Sequence, residues 1–190
     1  MKEYRCYKPN KDWKGAASKF QLVKKQKDKW DSVCLFLTGT QQTGTDDKGN
    51  ASFGWKDSNK SVTMKLESPD IGEMLCTLRG IKDKAGVVTK EGKYYGLFHK
   101  NDRTGANTTL QLQKSDYGFN IRMSRQDANK NVVEVKHSYT LSEGEVLIVL
   151  LEEAVRQMYG WGSVNEETFE PPEFVDPLLK RDEINNIKGE

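Results

Sequence analysis

Val62-Thr63-Met64-Lys65, followed after six residues by Gly72-Glu73-Met74-Leu75, is echoed by Val133-Glu134-Val135-Lys136, followed after seven residues by Gly144-Glu145-Val146-Leu147. The offset is 71 to 72 residues. In each copy the first string alternates apolar and polar residues, as a half-buried strand does, and the second belongs to an amphipathic helix. A strand running into a capped helix, twice over, decides the fold. The class is α+β: two four-stranded antiparallel sheets, each followed by a helix.

Working outward, the same period-two alternation marks further strands. Val33, Leu35 and Leu37 share one face of Val33–Thr40, and Cys34, Phe36 and Thr38 share the other. Leu110 and Leu112, then Phe119, Ile121 and Met123, alternate with polar neighbours, and Asp116-Tyr117-Gly118 separates the two runs at hairpin length. Lys19–Lys25, Ala51–Trp55 and Tyr94–Lys100 carry weaker versions of the pattern. One face of each strand is polar, which suits antiparallel sheets packed on one side.

The two helices have their own punctuation. Ser68-Pro69-Asp70 opens the first, with proline at a tolerated first-turn position, and Gly80 closes it. Ser142-Glu143-Gly144-Glu145 has capping-box spacing and opens the second, which runs to Gly160. Val146 to Leu151 is apolar throughout, so that helix is greasy on more sides than one sheet can cover. The helix 142–159 is therefore expected to form a subunit interface, with a central position inside one protomer as the other use of its surface.

The chain has 190 residues and a formal charge of +2, which conceals an asymmetry. Residues 1–30 carry ten Lys and Arg against three acidic residues; residues 163–190 carry three against eight. The expected organisation is a basic N-terminal arm (1–12), a sheet-rich body (13–162) and an acidic C-terminal tail (163–190). Such termini suit contact with a polyanion and with a protein partner, or simply stay solvated. No apolar run approaches the roughly 18 residues that span a bilayer, and the first thirty residues contain no secretory h-region. Three cysteines without CxxC spacing point to reduced thiols. An intracellular, cytoplasmic setting is expected.

Chemistry for catalysis is missing. Gly39-Thr40-Gln41-Gln42-Thr43-Gly44 has P-loop glycine spacing, but Thr45 and Asp46 stand where Lys and Ser or Thr would serve the phosphates. Asp46-Asp47-Lys48-Gly49-Asn50 lacks the sixth-position glycine and the closing glutamate of a calcium loop. His99 and His137 have no nearby Cys or carboxylate at ligand spacing and read as satisfied structural histidines. No catalytic residue, metal site or cofactor is expected, and the protein reads as a non-enzyme.

What is present is aromatic rings beside cations on polar strand faces. Single-stranded nucleic acid is held by positive charge along the phosphates and rings stacked on bases. Phe36, Trp55-Lys56, Phe98 with Lys100, and Tyr117 near Arg122 repeat that combination; Lys14, Lys19, Lys24 and Trp30 supply it near the N-terminus. Lys65 lies on a polar strand face. Trp13 and Trp161 read as packing residues.

The order of elements and several strings resemble the Whirly single-stranded DNA-binding proteins. Lys14-Gly15-Ala16-Ala17-Ser18 is similar to the KGKAAL motif, and Val33-Cys34-Leu35-Phe36-Leu37 to the apolar second strand. Phe53-Gly54-Trp55 is similar to the aromatic-Asp-Trp string, Pro69-Asp70-Ile71-Gly72 to the turn before the helix, and Leu97-Phe98-His99-Lys100 to the Phe-Phe-His strand. Gly160-Trp161 closes the last helix as Gly-Trp does there. The likeness spans roughly 13–162. It implies (ββββα)2 halves, helices at the centre of a homotetramer, and single-stranded DNA bound across sheet edges between protomers with little sequence preference. The motif's second Lys, which serves higher-order assembly in the family, is Ala16 here, and no organelle transit peptide is visible. Against the resemblance these departures point to a bacterial or virus-infected cell as the setting, with an organelle left open.

The leading expectation is thus a sequence-independent single-stranded DNA-binding protein that coats DNA in replication, recombination or repair. Single-stranded RNA on the same fold, or a non-catalytic protein-interaction adaptor, are the rival readings.

Overall fold

The computed structural model describes residues 2–27 and 30–161. The acidic tail lies outside these, as do the side chains of Lys2 and of residues 25–27 and 30–32, including that of Trp30. Within the described residues ten strands and two helices follow in order: β1 (Lys2–Lys8), β2 (Ala16–Lys27), β3 (Trp30–Thr45), β4 (Ala51–Phe53), β5 (Ser61–Leu66), α1 (Ser68–Leu78), β6 (Val87–Val88), β7 (Tyr94–Asn101), β8 (Ala106–Ser115), β9 (Gly118–Gln126), β10 (Val132–Thr140) and α2 (Leu141–Met158). Two antiparallel sheets, each followed by a helix, are the architecture that the repeat predicts.

Each sheet has five strands rather than four, and in each the extra one is short: three residues in β4 and two in β6. In the first sheet β3 carries β2 along one edge and β5 along the other, while its far end pairs with β4. The second sheet runs in the order β10-β9-β8-β7-β6. Residues 2–8 are not a free basic arm but the edge strand β1, with Lys2 opposite Leu22 and Lys8 opposite Ala16. Its apolar alternation, Tyr4 and Cys6 inward against Arg5 and Tyr7 outward, is easily lost among the charges.

The inner faces supply one core. Phe20, Leu35, Leu37, Met64 and Leu66 from the first sheet join Leu110, Leu112, Ile121, Met123 and Val135 from the second. A buried hydroxyl pair, Ser18 to Tyr139 at 2.8 Å, ties β2 to β10. Gln41 Nε2 donates to the Glu134 carbonyl at 2.8 Å where β3 meets β10. Burial of apolar area of this kind is the main favourable term in folding.

The helix starts are instructive. At α1, Glu67 is the N-cap; its side chain accepts from the Asp70 amide while Asp70 accepts from the Glu67 amide. Asp70 also binds His99 Nε2 at 2.9 Å, so His99 is held structurally. At α2 the cap is Thr140 with Glu143 three residues on, not Ser142 with Glu145. The spacing is the same; Thr140 takes the role because Tyr139 is still a buried strand residue and Gly144 already packs inward. Glu143 then serves β1 as well: Lys8 Nζ lies 2.7 Å from both its oxygens and the Cys6 thiol donates to it at 3.3 Å. Burial opposes the charged form, but the bonds from Lys8, the Thr140 amide and Cys6 outweigh it and hold Glu143 at about 2.

The repeat glycines diverge in use. A Cβ on Gly144 would come within 2.4 Å of the Phe119 ring, so this glycine lets α2 lie against β9. Its counterpart Gly72 faces open space. On α2, Leu147, Leu151 and Ala154 are buried while Val146 and Val149 remain exposed, the latter by 66%. No helix among the described residues is long and apolar enough to cross a membrane.

Candidate nucleic-acid interface

The polar faces of both sheets point outward, and the register shows which side chains meet there. On the first sheet Arg5 stands opposite Lys19, which stands opposite Thr38, which stands opposite Thr63. The next row is Glu3, Gln21, Phe36 and Lys65. Thr38 and Thr63 share a hydroxyl bond of 3.0 Å. Beyond the row of Lys19, Tyr7 stands opposite the fully buried Ala17.

Onto this face folds the segment after β4. Trp55 is not in the strand; β4 ends at Phe53 and the chain turns at Gly54. Trp55 meets Phe53 at 6.4 Å and Tyr7 edge-on at 6.3 Å, and Tyr7 meets Phe53 at 5.4 Å between ring centroids. Lys19 Nζ lies 5.6 Å from the centre of the Trp55 ring and the Arg5 guanidinium 5.9 Å from it. Cations at this distance are attracted by the ring quadrupole and orient the ring. The result is a triplet of aromatic rings with two cations, next to Phe36 and Lys65.

Of the residues singled out from sequence, this face brings together Lys19, Phe36, Trp55 and Lys65, with exposed Lys56 following Trp55. Lys65 lies 3.8 Å from Glu67, a loose pair. Arg5, Tyr7 and Phe53 complete the cluster and are not among the binding residues that the sequence singles out. For Arg5 and Tyr7 the signal is the alternation within Lys2–Lys8, which the density of charge in that stretch conceals; Phe53 stands in the quoted Phe53-Gly54-Trp55 string without a role of its own.

The second sheet gathers a separate group. Phe98 is 56% exposed on β7, opposite Thr109, and Gln111 stands opposite Arg122, which stands opposite Lys136. Arg122 is not a free cation: it pairs with Glu134, which also takes Lys136 at 2.5 Å. Burial pushes the Glu134 carboxyl up, but its bonds to Lys136 and Arg122 prevail and lower it below the usual range. Lys100 pairs with Asp102 at 3.0 Å.

The rest do not join either group. Lys14 is exposed in the loop before β2, and Tyr117 is 89% exposed at the tip of the β8–β9 hairpin. Lys24 shares the strand parity of Phe20 and Leu22, the opposite side from Lys19. The backbone of Trp30 pairs with Lys27; its side chain lies outside the described residues. Trp13 and Trp161 are not packed as expected but 58% and 67% exposed, and Trp161 stacks on Tyr159 at 4.9 Å. His137 is also unlike the expected satisfied histidine, for its buried Nε2 has no hydrogen-bond partner. No group of three or more His, Cys, Asp or Glu among the described residues could hold a metal ion.

Neither a protein-family model nor a curated protein matches the chain. Solved structures do. The plant transcriptional regulator PBF-2 superposes with a TM-score of 0.63 at 15% identity, covering 96% of each chain. WHY1 from Arabidopsis thaliana gives 0.60 at 16% identity, covering 89% of this chain and 96% of that one. Trypanosoma bruciei MRP1/MRP2 gives 0.55 at 14% identity, covering 84% and 87%. The fold is the Whirly-type fold that the sequence motifs imply.

Proposed function

We propose that the protein is a sequence-tolerant single-stranded DNA-binding protein, and not an enzyme, that captures and coats unpaired strands during replication, recombination or repair. The observation that carries this reading is Trp55 with both Lys19 and Arg5 over its ring, beside Tyr7 and Phe53 on an outward sheet face. Rings serve any base because every base has a π-face, and Lys and Arg follow the phosphates without reading sequence. Phe36 and Lys65 extend the same surface, and Phe98 with Lys100 gives a second one. The fold shared with the plant transcriptional regulator and with WHY1 is consistent with such a role.

The working unit in this proposal is a homotetramer built through α2, whose exposed Val146 and Val149 favour burial against another copy. Light scattering on the purified protein reads this directly; a monomer at micromolar concentration would remove it. The acidic tail recruits a protein partner, in a cytoplasmic setting.

The decisive experiment is a fluorescence-anisotropy titration with a 30-nucleotide single strand, its duplex and the matched RNA, at two salt concentrations. Tight binding to the DNA single strand that weakens steeply with salt supports the proposal. Preference for the RNA strand moves the ligand to RNA on the same surface. Absence of binding at low salt leaves the adaptor reading.

A further inference from the structure

The β1–β2 connection contains a backbone outlier. Trp13 has φ of +59°, a left-handed conformation that a bulky L-residue rarely adopts. Such a residue persists only where its surroundings over-determine it, and strain of this kind gathers at functional positions. The surroundings here do so. The Trp13 amide donates to the Asn10 carbonyl at 3.0 Å, and the Asp12 amide donates to Asn10 Oδ1 at 2.7 Å. The Asn10 amide donates to Gln42 Oε1 at 2.8 Å, and the Gln42 amide donates to the Gly15 carbonyl at 2.8 Å. Gln42 is itself buried, and a Cβ on Gly15 would meet Gln42 Oε1 at 2.3 Å and the Lys8 carbonyl at 2.5 Å. The loop is clamped onto β3 from both sides.

What the clamp achieves is unusual for a tryptophan. The indole is not packed but 58% exposed, although burying it is what a tryptophan ordinarily gains from folding. Exposed Lys11 and Lys14 flank it, with Asp12 between. The loop sits at the Tyr7–Phe53 end of the first sheet: Lys8 stands opposite Ala16, and Gln42, which holds the loop, stands opposite Phe53. The loop that carries Trp13 thus leaves the first sheet at the end where Tyr7 and Phe53 stand.

We propose that Trp13 is an additional base-stacking residue, held out in a strained turn so that an unpaired nucleobase leaving the Trp55 cluster lands on its indole. This rests on the reading of the first sheet as the nucleic-acid surface. It adds a position that the strand must reach beyond the sheet itself.

The test uses the full chain, Trp13→Asn and Trp13→Phe, titrated with a 30-nucleotide oligothymidine, together with thermal unfolding and light scattering. Asparagine adopts the left-handed region far more readily than tryptophan. Trp13→Asn is expected to raise the melting temperature by a few degrees while weakening binding about tenfold, and Trp13→Phe to bind within about threefold of wild type. A lowered melting temperature in Trp13→Asn would show that the indole packs for stability and overturn the proposal. Wild-type affinity in Trp13→Asn, or a change in subunit number, would overturn it too. If the wild-type protein itself shows no salt-sensitive binding, the functional reading fails first, an outcome distinct from wild-type affinity in the variant.

Discussion

Lys19 and Trp55 belong to different parts of the first sheet, β2 and the turn after β4, yet the lysine ammonium lies 5.6 Å from the centre of the indole. A cation fixed over a ring both orients the ring and keeps its own charge near the surface where a phosphate would pass. Removing either partner should therefore affect more than its own contact. Trp55→Ala is expected to weaken single-strand binding about tenfold, from a stacking contribution of roughly 1–3 kcal/mol. Lys19→Ala should weaken it less and flatten the salt dependence by about 0.7 in log–log slope. The double variant should lose less than the sum, read from a double-mutant cycle by anisotropy.

Arg122 presents the opposite case, because Glu134 already takes its charge. Arg122→Ala is expected to change affinity by less than about twofold, since an exposed pair contributes little and the cation is neutralised. Glu134→Gln should instead release Arg122 and Lys136, tightening binding severalfold and steepening the salt slope. Equal and opposite effects in the two variants would show that Arg122 reaches the strand despite its partner.

The repeat glycines make a stability test within one chain. Gly144→Ala places a methyl group 2.4 Å from the Phe119 ring and should destabilise by about 1–3 kcal/mol. Gly72→Ala meets nothing within 4 Å inside α1 and should stabilise by up to about 1 kcal/mol, because alanine is the better helix former. Urea unfolding of the two variants measures both signs.

His137 gives the fold an acid limit. It lies edge-on to Tyr139, ring centroids 4.7 Å apart, and burial lowers its pKa from 6.5 to about 4, with the Lys8 charge acting in the same direction. The folded protein holds it neutral, whereas the unfolded chain protonates it near 6.5. Stability from this group is complete above pH 6.5 and is lost as pH falls towards 4, on the order of 3 kcal/mol in all. His137→Phe should flatten the decline between pH 6.5 and 4, seen as a smaller difference in melting temperature between pH 7 and pH 5. An unchanged decline would assign the acid sensitivity to other groups.

The elements and their order are legible in the chain alone. Period-two alternation follows directly from the pleat, so it assigns Leu35, Leu37, Met64, Leu110 and Ile121 to a core face, where all five are buried. Helix starts are legible because caps and proline act within a few residues. Even a start placed two residues late, at Ser142 instead of Thr140, keeps the right chemistry. Phe36, Lys19 and Lys65 fall on outward faces for the same reason.

Which outward residues meet is a property of packing between distant segments. Nothing local relates Tyr7 and Arg5 to Trp55; the pairing of β1 with β2 and the fold-over after β4 do. Likewise nothing local shows that Glu134 neutralises Arg122, that Gly144 and not Gly72 faces a ring, or that Trp13 is held out rather than packed. Alternation records only which side of its own strand a residue occupies. Neighbours across strands, and the charge each side chain has left over, are fixed by register and packing between segments far apart in the chain.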